Sequence, residues 1–202
     1  SITIPHKIDA IQYVDKISDV DLAIGSINTV INTDGTLEGL NTDGPGALKA
    51  LEDAGVDLNG KNVLMLGAGG ASRAIAFTLA WEPGITGMTL LDIDQDLLES
   101  LGKDLTDKTN TAITTRIMDD TSLADSMAQA DIIVHCTPIG MHPKTDASLV
   151  PKNLFKKGQV VFDIVYTPLE TKLLKEAAEC GVKTVSGVDM FVNQAALQFE
   201  RF

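Results

Sequence analysis

A glycine-rich turn near the middle of the chain constrains its fold more than any other feature. The chain there reads Leu66-Gly67-Ala68-Gly69-Gly70-Ala71-Ser72-Arg73, directly after the apolar run 62–66 and before a helical pattern over 71–80. Gly67 permits the tight turn, Gly69 lets the backbone approach a pyrophosphate, and Ser72 is small enough for close packing. The alternative is a strand-to-helix turn that needs glycines only for its shape. The residues expected to contact a dinucleotide are Gly67, Ala68, Gly69, Gly70 and Ala71.

Short apolar runs alternate with helical patterns from residue 60 onward. Because these runs are apolar on both faces, they are typical of strands buried between two helical layers. The predicted fold class is therefore α/β, with a Rossmann-like doubly wound parallel sheet. Strands are predicted at 62–66, 88–91, 132–134, 160–163 and 183–185, and helices at 71–80, 95–105, 123–129 and 169–180.

The first 59 residues have a different pattern. A strand is predicted over 1–4, and a helix from Pro5 to Ile17 with Ile8, Ile11 and Val14 on its apolar face. Asp34-Gly35 between two β-rich runs predicts a hairpin, and a further helix is predicted over 44–54. The predicted organisation is part of a neighbouring α/β domain over 1–59, a dinucleotide-binding domain over 60–187, and a helix over 188–202 that returns toward the first part.

Composition excludes several classes of protein. The formal charge is −12, from 16 basic and 28 acidic residues. This balance is unfavourable for binding nucleic acid or an anionic membrane surface. Cys136 and Cys180 form no disulfide framework or zinc spacing, and no metal site is predicted; a reducing, cytoplasmic compartment is expected. No apolar run is long enough to span a bilayer.

The second strand of the α/β half indicates the type of cofactor. It ends in Leu91-Asp92-Ile93-Asp94, where a carboxylate can accept hydrogen bonds from the adenosine ribose. A 2′-phosphate would be repelled by Asp92 and Asp94, and no Lys or Arg lies between 92 and 102. NAD is therefore predicted over NADP. The alternative is that these acidic residues form a solvated helix start.

Several ordered strings resemble the shikimate dehydrogenase family. They are Ser1-Ile2-Thr3-Ile4-Pro5-His6-Lys7, Gly25-Ser26-Ile27-Asn28-Thr29, Asn41-Thr42-Asp43-Gly44, the glycine turn, Thr137-Pro138-Ile139-Gly140-Met141, Asp163-Ile164-Val165-Tyr166 and Met190-Phe191-Val192-Asn193-Gln194-Ala195-Ala196. The resemblance spans essentially the whole chain. It implies reversible oxidation of the C3 hydroxyl of shikimate or quinate by a nicotinamide cofactor, with Lys7 and Asp43 as the catalytic pair.

Further site residues follow from this resemblance. The substrate would contact Ser1, Thr3, Asn28, Tyr166 and Gln194, and the cofactor would also contact Asp92, Ile93, Thr137 and Met190. The family's N-terminal serine pair and its closing C-terminal helix are not present in this sequence. The resemblance therefore predicts an incomplete substrate domain, and a homodimer is possible.

The chain also departs from the family at several positions. His135-Cys136-Thr137 replaces a common Asn-Ala-Thr, and Asp189 lies where glycine is frequent. The Asp92-Ile93-Asp94 string is similar to that of the NAD-using quinate/shikimate branch. His6, His135 and His142 share no ligand spacing, and none is predicted to be catalytic or metal-bound.

Two other functions remain open from the sequence. One is a nucleotide-binding sensor or regulatory module that keeps the glycine turn without catalysis. The other is a Lys-dependent dehydrogenase of the methylenetetrahydrofolate type. Asn41-Thr42-Asp43-Gly44 and Gln194 weigh against the second.

Overall fold

The computed structural model of the protein describes residues 1–3 and 5–202. Its strands are β1 (Lys16–Ile17), β2 (Thr29–Thr33), β3 (Thr36–Leu40), β4 (Lys61–Leu66), β5 (Ile85–Asp92), β6 (Ala112–Ile117), β7 (Ile132–His135), β8 (Val160–Asp163) and β9 (Lys183–Ser186). Its α-helices are α1 (Asp19–Ile24), α2 (Asp43–Asp53), α3 (Gly70–Trp81), α4 (Gln95–Lys108), α5 (Asp120–Gln129), α6 (Lys172–Glu179) and α7 (Gly187–Phe199). Two short 3-10 helices cover Asp9–Tyr13 and Lys152–Leu154.

The larger sheet has six parallel strands in the order β6-β5-β4-β7-β8-β9. Successive residues of β4 face opposite sides. Val63 and Met65 join one buried apolar cluster, whereas Leu64 and Leu66 join another on the other face. The doubly wound α/β fold is therefore confirmed, and the segments that follow β4, β5, β7 and β8 meet at one edge of the sheet.

The smaller sheet lies in the first 40 residues, in the order β1-β3-β2. Strands β2 and β3 form the predicted antiparallel hairpin, with Thr33 opposite Thr36. Asp34 and Gly35 both have positive φ, at 51° and 89°, as a tight two-residue hairpin turn requires. Strand β1 pairs with β3 in parallel.

The predicted helix from Pro5 to Ile17 is wrong. Only Asp9–Tyr13 forms a short 3-10 helix, Ile8 is 56% exposed, and Ile17 lies in β1. Two hydrogen bonds draw this segment onto the hairpin. The Asp15 N–H donates to the Leu37 carbonyl at 2.8 Å, and the Leu37 N–H donates to the Asp15 carboxylate at 2.8 Å. Pairing with the open edge of β3 therefore replaces the helix.

Other elements also differ from their predictions. Residues 1–3 are not in a strand, although the Ile2 N–H donates to the Asn28 carbonyl at 2.7 Å, and Ile4 lies outside the described residues. Strand β6 and helix α1 were not predicted. Helix α6 begins at Lys172 instead of 169, because the Thr171 side chain accepts a hydrogen bond from the Leu174 N–H and caps it. None of the described helices is both long and apolar enough to cross a membrane.

Two glycines in α2 allow close helix packing. A Cβ at Gly44 would lie 2.0 Å from the Thr78 hydroxyl of α3, and one at Gly46 would lie 2.7 Å from the Gln194 Cβ of α7. Because neither position leaves room for a methyl group, α2 contacts both helices at backbone distance. Helix α2 therefore links the small sheet to the six-stranded sheet and to the last helix.

Candidate functional site

A lysine and an aspartate form a largely buried ion pair at the start of α2. The Lys7 Nζ atom lies 2.5 Å from Asp43 Oδ2, and the two side chains are 17% and 7% exposed. The backbone of Lys7 is also fixed, because its carbonyl accepts a hydrogen bond from the Ile27 N–H at 2.9 Å. Asp43 is the first residue of α2, where the helix dipole favours a negative charge. The structure thus brings together the two residues predicted to be catalytic.

Asn28 completes the hydrogen bonding of this carboxylate. Its side-chain amide donates to Asp43 Oδ1 at 2.9 Å and to the Thr42 hydroxyl at 2.9 Å. Its Oδ1 atom accepts the Thr42 N–H at 3.0 Å. Asn28 is 1% exposed, so these bonds are shielded from water. Both oxygens of Asp43 therefore have a partner, as a buried carboxylate requires.

Gln194 of α7 reaches the same group of side chains. Its Oε1 atom accepts a hydrogen bond from Gln198 at 3.1 Å and lies 3.4 Å from the Thr42 hydroxyl. Its amide nitrogen donates to the Phe191 carbonyl at 3.1 Å. The predicted substrate residues Asn28 and Gln194 thus lie together beside the Lys7–Asp43 pair, although they come from opposite ends of the chain.

Two neighbours of Asp43 support the site although no role was predicted for them. Asn41 accepts the Asp43 N–H on Oδ1 at 2.8 Å, and its amide donates to the Ser26 carbonyl at 3.0 Å. Thr42 bonds to Asn28 through both its backbone and its hydroxyl. The sequence signals for this arrangement were their place immediately before a predicted helix and their membership of the Asn41-Thr42-Asp43-Gly44 string.

The remaining predicted substrate residues lie farther out. Tyr166 is 49% exposed and stacks on Phe191 with 4.9 Å between ring centroids. Ser1 and Thr3 are exposed and line an open cavity of about 580 Å³ together with His6 and Tyr13. Among the described residues, the lining of this cavity includes neither Lys7 nor Asp43.

The glycine loop between β4 and α3 fits a dinucleotide phosphate. Gly67 has a φ of 106°, and an added Cβ there would lie 3.2 Å from the methyl group of Thr137. Added Cβ atoms at Gly69 and Gly70 would meet nothing within 4 Å, so open space lies over the start of α3. The first N–H groups of a helix have no partner within that helix and attract anions. A pyrophosphate can therefore approach the backbone of Gly69, Gly70 and Ala71.

Asp92 at the end of β5 braces this loop. Its Oδ2 atom accepts the Ala68 N–H at 2.6 Å, and its Oδ1 atom accepts the Asp94 N–H at 2.9 Å. The next residue, Ile93, is 80% exposed. The carboxylate predicted to bind a ribose thus also fixes the loop that would hold the phosphates.

Other carboxylates surround Asp92 at this edge of the sheet. Asp94 caps α4 by accepting the Leu97 N–H, and Asp119 caps α5 by accepting the Ser122 N–H. The hydrogen bond from the Ser122 backbone lowers the pKa of Asp119 below its usual value. The Met118 N–H donates to the Asp92 carbonyl at 2.9 Å, which joins the ends of β5 and β6. The edge that would receive the adenosine end of a dinucleotide is therefore negatively charged.

Thr137 and Met190 lie at the other end of the predicted cofactor site. Thr137 follows β7 and lies beside Gly67, since a Cβ added to that glycine would be 3.2 Å from the Thr137 methyl group. Met190 is 7% exposed in the first turn of α7, next to Asp189, whose carboxylate accepts the Ser186 N–H at 3.3 Å. A glycine loop at the end of a parallel strand and a Lys–Asp pair in the same chain are typical of oxidoreductases that bind a nicotinamide dinucleotide.

Comparisons with known proteins narrow this class. The chain is 41% identical over 208 residues to the Bacillus cereus protein named shikimate dehydrogenase (NADP(+)), covering 99% of this chain and 71% of that protein. It superposes with a TM-score of 0.89 and 32% identity on shikimate 5-dehydrogenase from Listeria monocytogenes, covering 98% of this chain and 70% of that one. That structure is a complex with shikimate and NAD. The chain belongs to the shikimate dehydrogenase family.

A third protein extends the comparison to another substrate. Quinate dehydrogenase from Corynebacterium glutamicum, in complex with NAD, superposes with a TM-score of 0.89 at 29% identity, covering 98% of this chain and 70% of that one. No family model matches the chain. The similar proteins thus include several relatives named for NADP, structures that hold NADP and two structures that hold NAD.

Proposed function

We propose that the protein is an NAD-dependent shikimate dehydrogenase that oxidises the C3 hydroxyl of shikimate reversibly, with quinate as a second substrate. The observation that carries this proposal is the largely buried Lys7–Asp43 pair, with Asn28 and Gln194 beside it, in a member of this family. In this proposal, residues 1–59 form part of the substrate-binding domain, residues 60–187 form the cofactor-binding domain, and residues 188–202 return toward the substrate side; Tyr166 contacts the substrate from the second domain, and Met190 contacts the cofactor from the last helix.

Lys7 and Asp43 would move the hydroxyl proton. In its amine form, Lys7 Nζ accepts the proton of the substrate hydroxyl, and the Asp43 carboxylate at 2.5 Å stabilises the resulting ammonium. In the reverse direction the ammonium returns the proton to the ketone oxygen. When bound, the nicotinamide ring takes up the hydrogen and two electrons that leave C3.

The neighbouring side chains would select a hydroxylated ring. Amides and hydroxyls at fixed positions bind polyols selectively, because a substrate that lacks a hydroxyl leaves buried partners unpaired. Gln194 and Thr42 lie within 3.4 Å of each other and present such groups next to Lys7. Tyr166, half exposed and stacked on Phe191, offers a further hydroxyl. We assign Ser1 and Thr3 to the outer part of the same site.

The preference for NAD rests on charge at the adenosine end. Asp92, Asp94 and Asp119 lie at the ends of β5 and β6, and two of them cap helices as carboxylates. A 2′-phosphate placed there would meet negative charge without a nearby lysine or arginine in 92–102. Several curated relatives are named for NADP, and the proposal departs from them because of this chain's own Asp92-Ile93-Asp94 string.

The test is turnover by the full-length protein. NADH and NADPH formation is measured with shikimate and with quinate, and binding of NAD is measured by calorimetry. We expect turnover with shikimate and NAD and a lower kcat/KM with NADP. NAD binding without turnover of either substrate would indicate a sensor module instead. Turnover only with a folate substrate would indicate the methylenetetrahydrofolate type.

A further inference from the structure

A chain of buried polar side chains runs from the start of α6 to the cofactor edge of the six-stranded sheet. It consists of Thr171, Asp163 and His135, each 0% exposed, and it ends at Thr137. The Thr171 hydroxyl lies 2.5 Å from Asp163 Oδ2, and His135 Nδ1 lies 2.9 Å from Asp163 Oδ1. His135 Nε2 lies 2.5 Å from the Thr137 hydroxyl. None of these groups takes part in the proton transfer at Lys7.

The partners of Asp163 determine which nitrogen of His135 carries hydrogen. Asp163 Oδ2 accepts from the Thr171 hydroxyl, and Asp163 Oδ1 accepts from the Val165 N–H at 3.1 Å. A carboxylate that already accepts two hydrogen bonds acts toward the ring as an acceptor. His135 Nδ1 must therefore carry a hydrogen, and in the neutral ring Nε2 is left as an acceptor.

This tautomer determines the orientation of the Thr137 hydroxyl. If His135 Nε2 is an acceptor, the Thr137 O–H must donate to it, because the two atoms are 2.5 Å apart. The Ile139 N–H donates to the same hydroxyl oxygen at 3.3 Å. One lone pair of Thr137 therefore remains, on a residue that contacts Gly67 of the glycine loop.

We propose that His135 is a positioning residue: it accepts a hydrogen bond from the Thr137 hydroxyl and so leaves one lone pair of that oxygen for a hydrogen-bond donor of the dinucleotide. This inference rests on the cofactor site of the proposed function. Pyrophosphate oxygens are acceptors and cannot be the partner of that lone pair. The donors that a nicotinamide dinucleotide offers near this edge are a ribose hydroxyl and the carboxamide NH2 group. Thr137 therefore contacts the nicotinamide half of the cofactor.

The hydrogen assignment is tested without any ligand. Nitrogen-15 NMR of the histidine side chains at pH 8 distinguishes the two neutral tautomers and the imidazolium. The signal of His135 is assigned from its loss in the His135→Asn variant, since the chain has only three histidines. We expect a neutral ring with hydrogen on Nδ1. Hydrogen on Nε2, in either the neutral or the charged ring, would overturn the proposal.

The effect on the cofactor is tested with a double-mutant cycle. The amide of His135→Asn can still face Asp163 but is too short to reach Thr137. We expect this variant to bind NAD about 3- to 10-fold more weakly, the value of one uncharged hydrogen bond. ADP, which lacks the nicotinamide half, should bind unchanged. In the Thr137→Val background, His135→Asn should weaken NAD binding no further.

Three results would decide against the proposal or against its basis. Additive losses in the cycle, or equal losses for NAD and ADP, would show that His135 does not act through Thr137. If His135→Asn does not fold, Thr137→Ala alone must still weaken NAD and spare ADP. Failure of the unchanged protein to bind NAD would instead overturn the proposed function.

ADP-ribose distinguishes the two candidate donors of the cofactor, the ribose hydroxyl and the carboxamide NH2 group. Its affinity falls in His135→Asn only if a ribose hydroxyl is the partner of Thr137.

Discussion

The Lys7 site and the glycine loop are built in opposite ways. At Lys7, side chains form the site, and Asp43 and Asn28 are almost fully buried within their own hydrogen bonds. At the glycine loop, the backbone forms the site, and Cβ atoms added at Gly69 and Gly70 would have no neighbour within 4 Å. Substitutions should therefore affect chemistry at the first region and cofactor choice or affinity at the second.

Removal of the Lys7 amine should give the largest separation of the two regions. In Lys7→Ala, kcat should fall about 10²- to 10⁴-fold, because general acid–base catalysis is lost. NAD affinity should stay unchanged, since Lys7 contacts no part of the glycine loop among the described contacts. Kinetics and calorimetry measure the two effects. Lys49→Ala, which removes a surface lysine paired with Asp53 in α2, should leave both unchanged. A matching loss of NAD affinity in Lys7→Ala would indicate a structural role.

Substitutions beside the glycine loop should change the cofactor preference. In Asp92→Ser combined with Ile93→Arg, the NADP/NAD ratio of kcat/KM should rise about 10- to 100-fold, because a repulsive carboxylate is replaced and a guanidinium can pair with the 2′-phosphate. NAD affinity should also fall, since Ala68 loses its hydrogen-bond acceptor. Asp96→Ser, which removes one negative charge from the first turn of α4, serves as the control. An unchanged ratio would mean that Asp92 does not face the ribose.

A substitution where α2 packs against α3 should lower the stability of the protein. Gly44→Ala places a methyl group 2.0 Å from the Thr78 hydroxyl and 2.8 Å from the Ala74 carbonyl. Overpacking of this kind costs about 1–3 kcal/mol, measured as a lower free energy of unfolding in urea. Gly87→Ala is the matched control, because its Cβ would lie 3.4 Å from its nearest neighbour. Equal stability of the two variants would contradict the tight contact of α2 with α3.

A partly buried ion pair between Arg73 of α3 and Asp104 of α4 should give the smallest effect. Partial burial raises the pKa of Asp104, but the hydrogen bond and charge of Arg73 outweigh it, so the pKa is lowered from 3.8. A lowered pKa adds stability above the unfolded value, and this stability is lost as the pH falls through the folded value. Asp104→Asn should therefore lower the urea midpoint at pH 7, and the difference should shrink below about pH 4. A difference that persists in acid would contradict this origin.

The sequence predicted the parallel sheet well because its strands are buried on both faces. Strand β6 was missed because it is an edge strand, with Thr114, Thr115 and Arg116 in place of an apolar run. The helix over 5–17 failed for a related reason. Its apolar residues recur every three positions, and the unpaired edge of β3 offered this segment a competing set of hydrogen bonds.

The site was predictable only in part. The glycine loop can be recognised from local spacing, since one turn and one helix start form it. The Lys7–Asp43 pair joins residues 36 positions apart and came from the family resemblance. The buried chain through His135 could not be foreseen, because Asp163 and Thr171 become its partners only after β7 and β8 pair.

The close packing of α2 has a consequence for local unfolding. Asp43 belongs by sequence to the segment with the small sheet, but its helix contacts α3 and α7 at Gly44 and Gly46. Amide hydrogens open in cooperative units that follow such contacts. The amide hydrogens of α2 should therefore exchange with solvent at rates similar to those of α3, and more slowly than those of β1. The carboxylate partner of Lys7 would then stay in place during fluctuations that release the lysine itself.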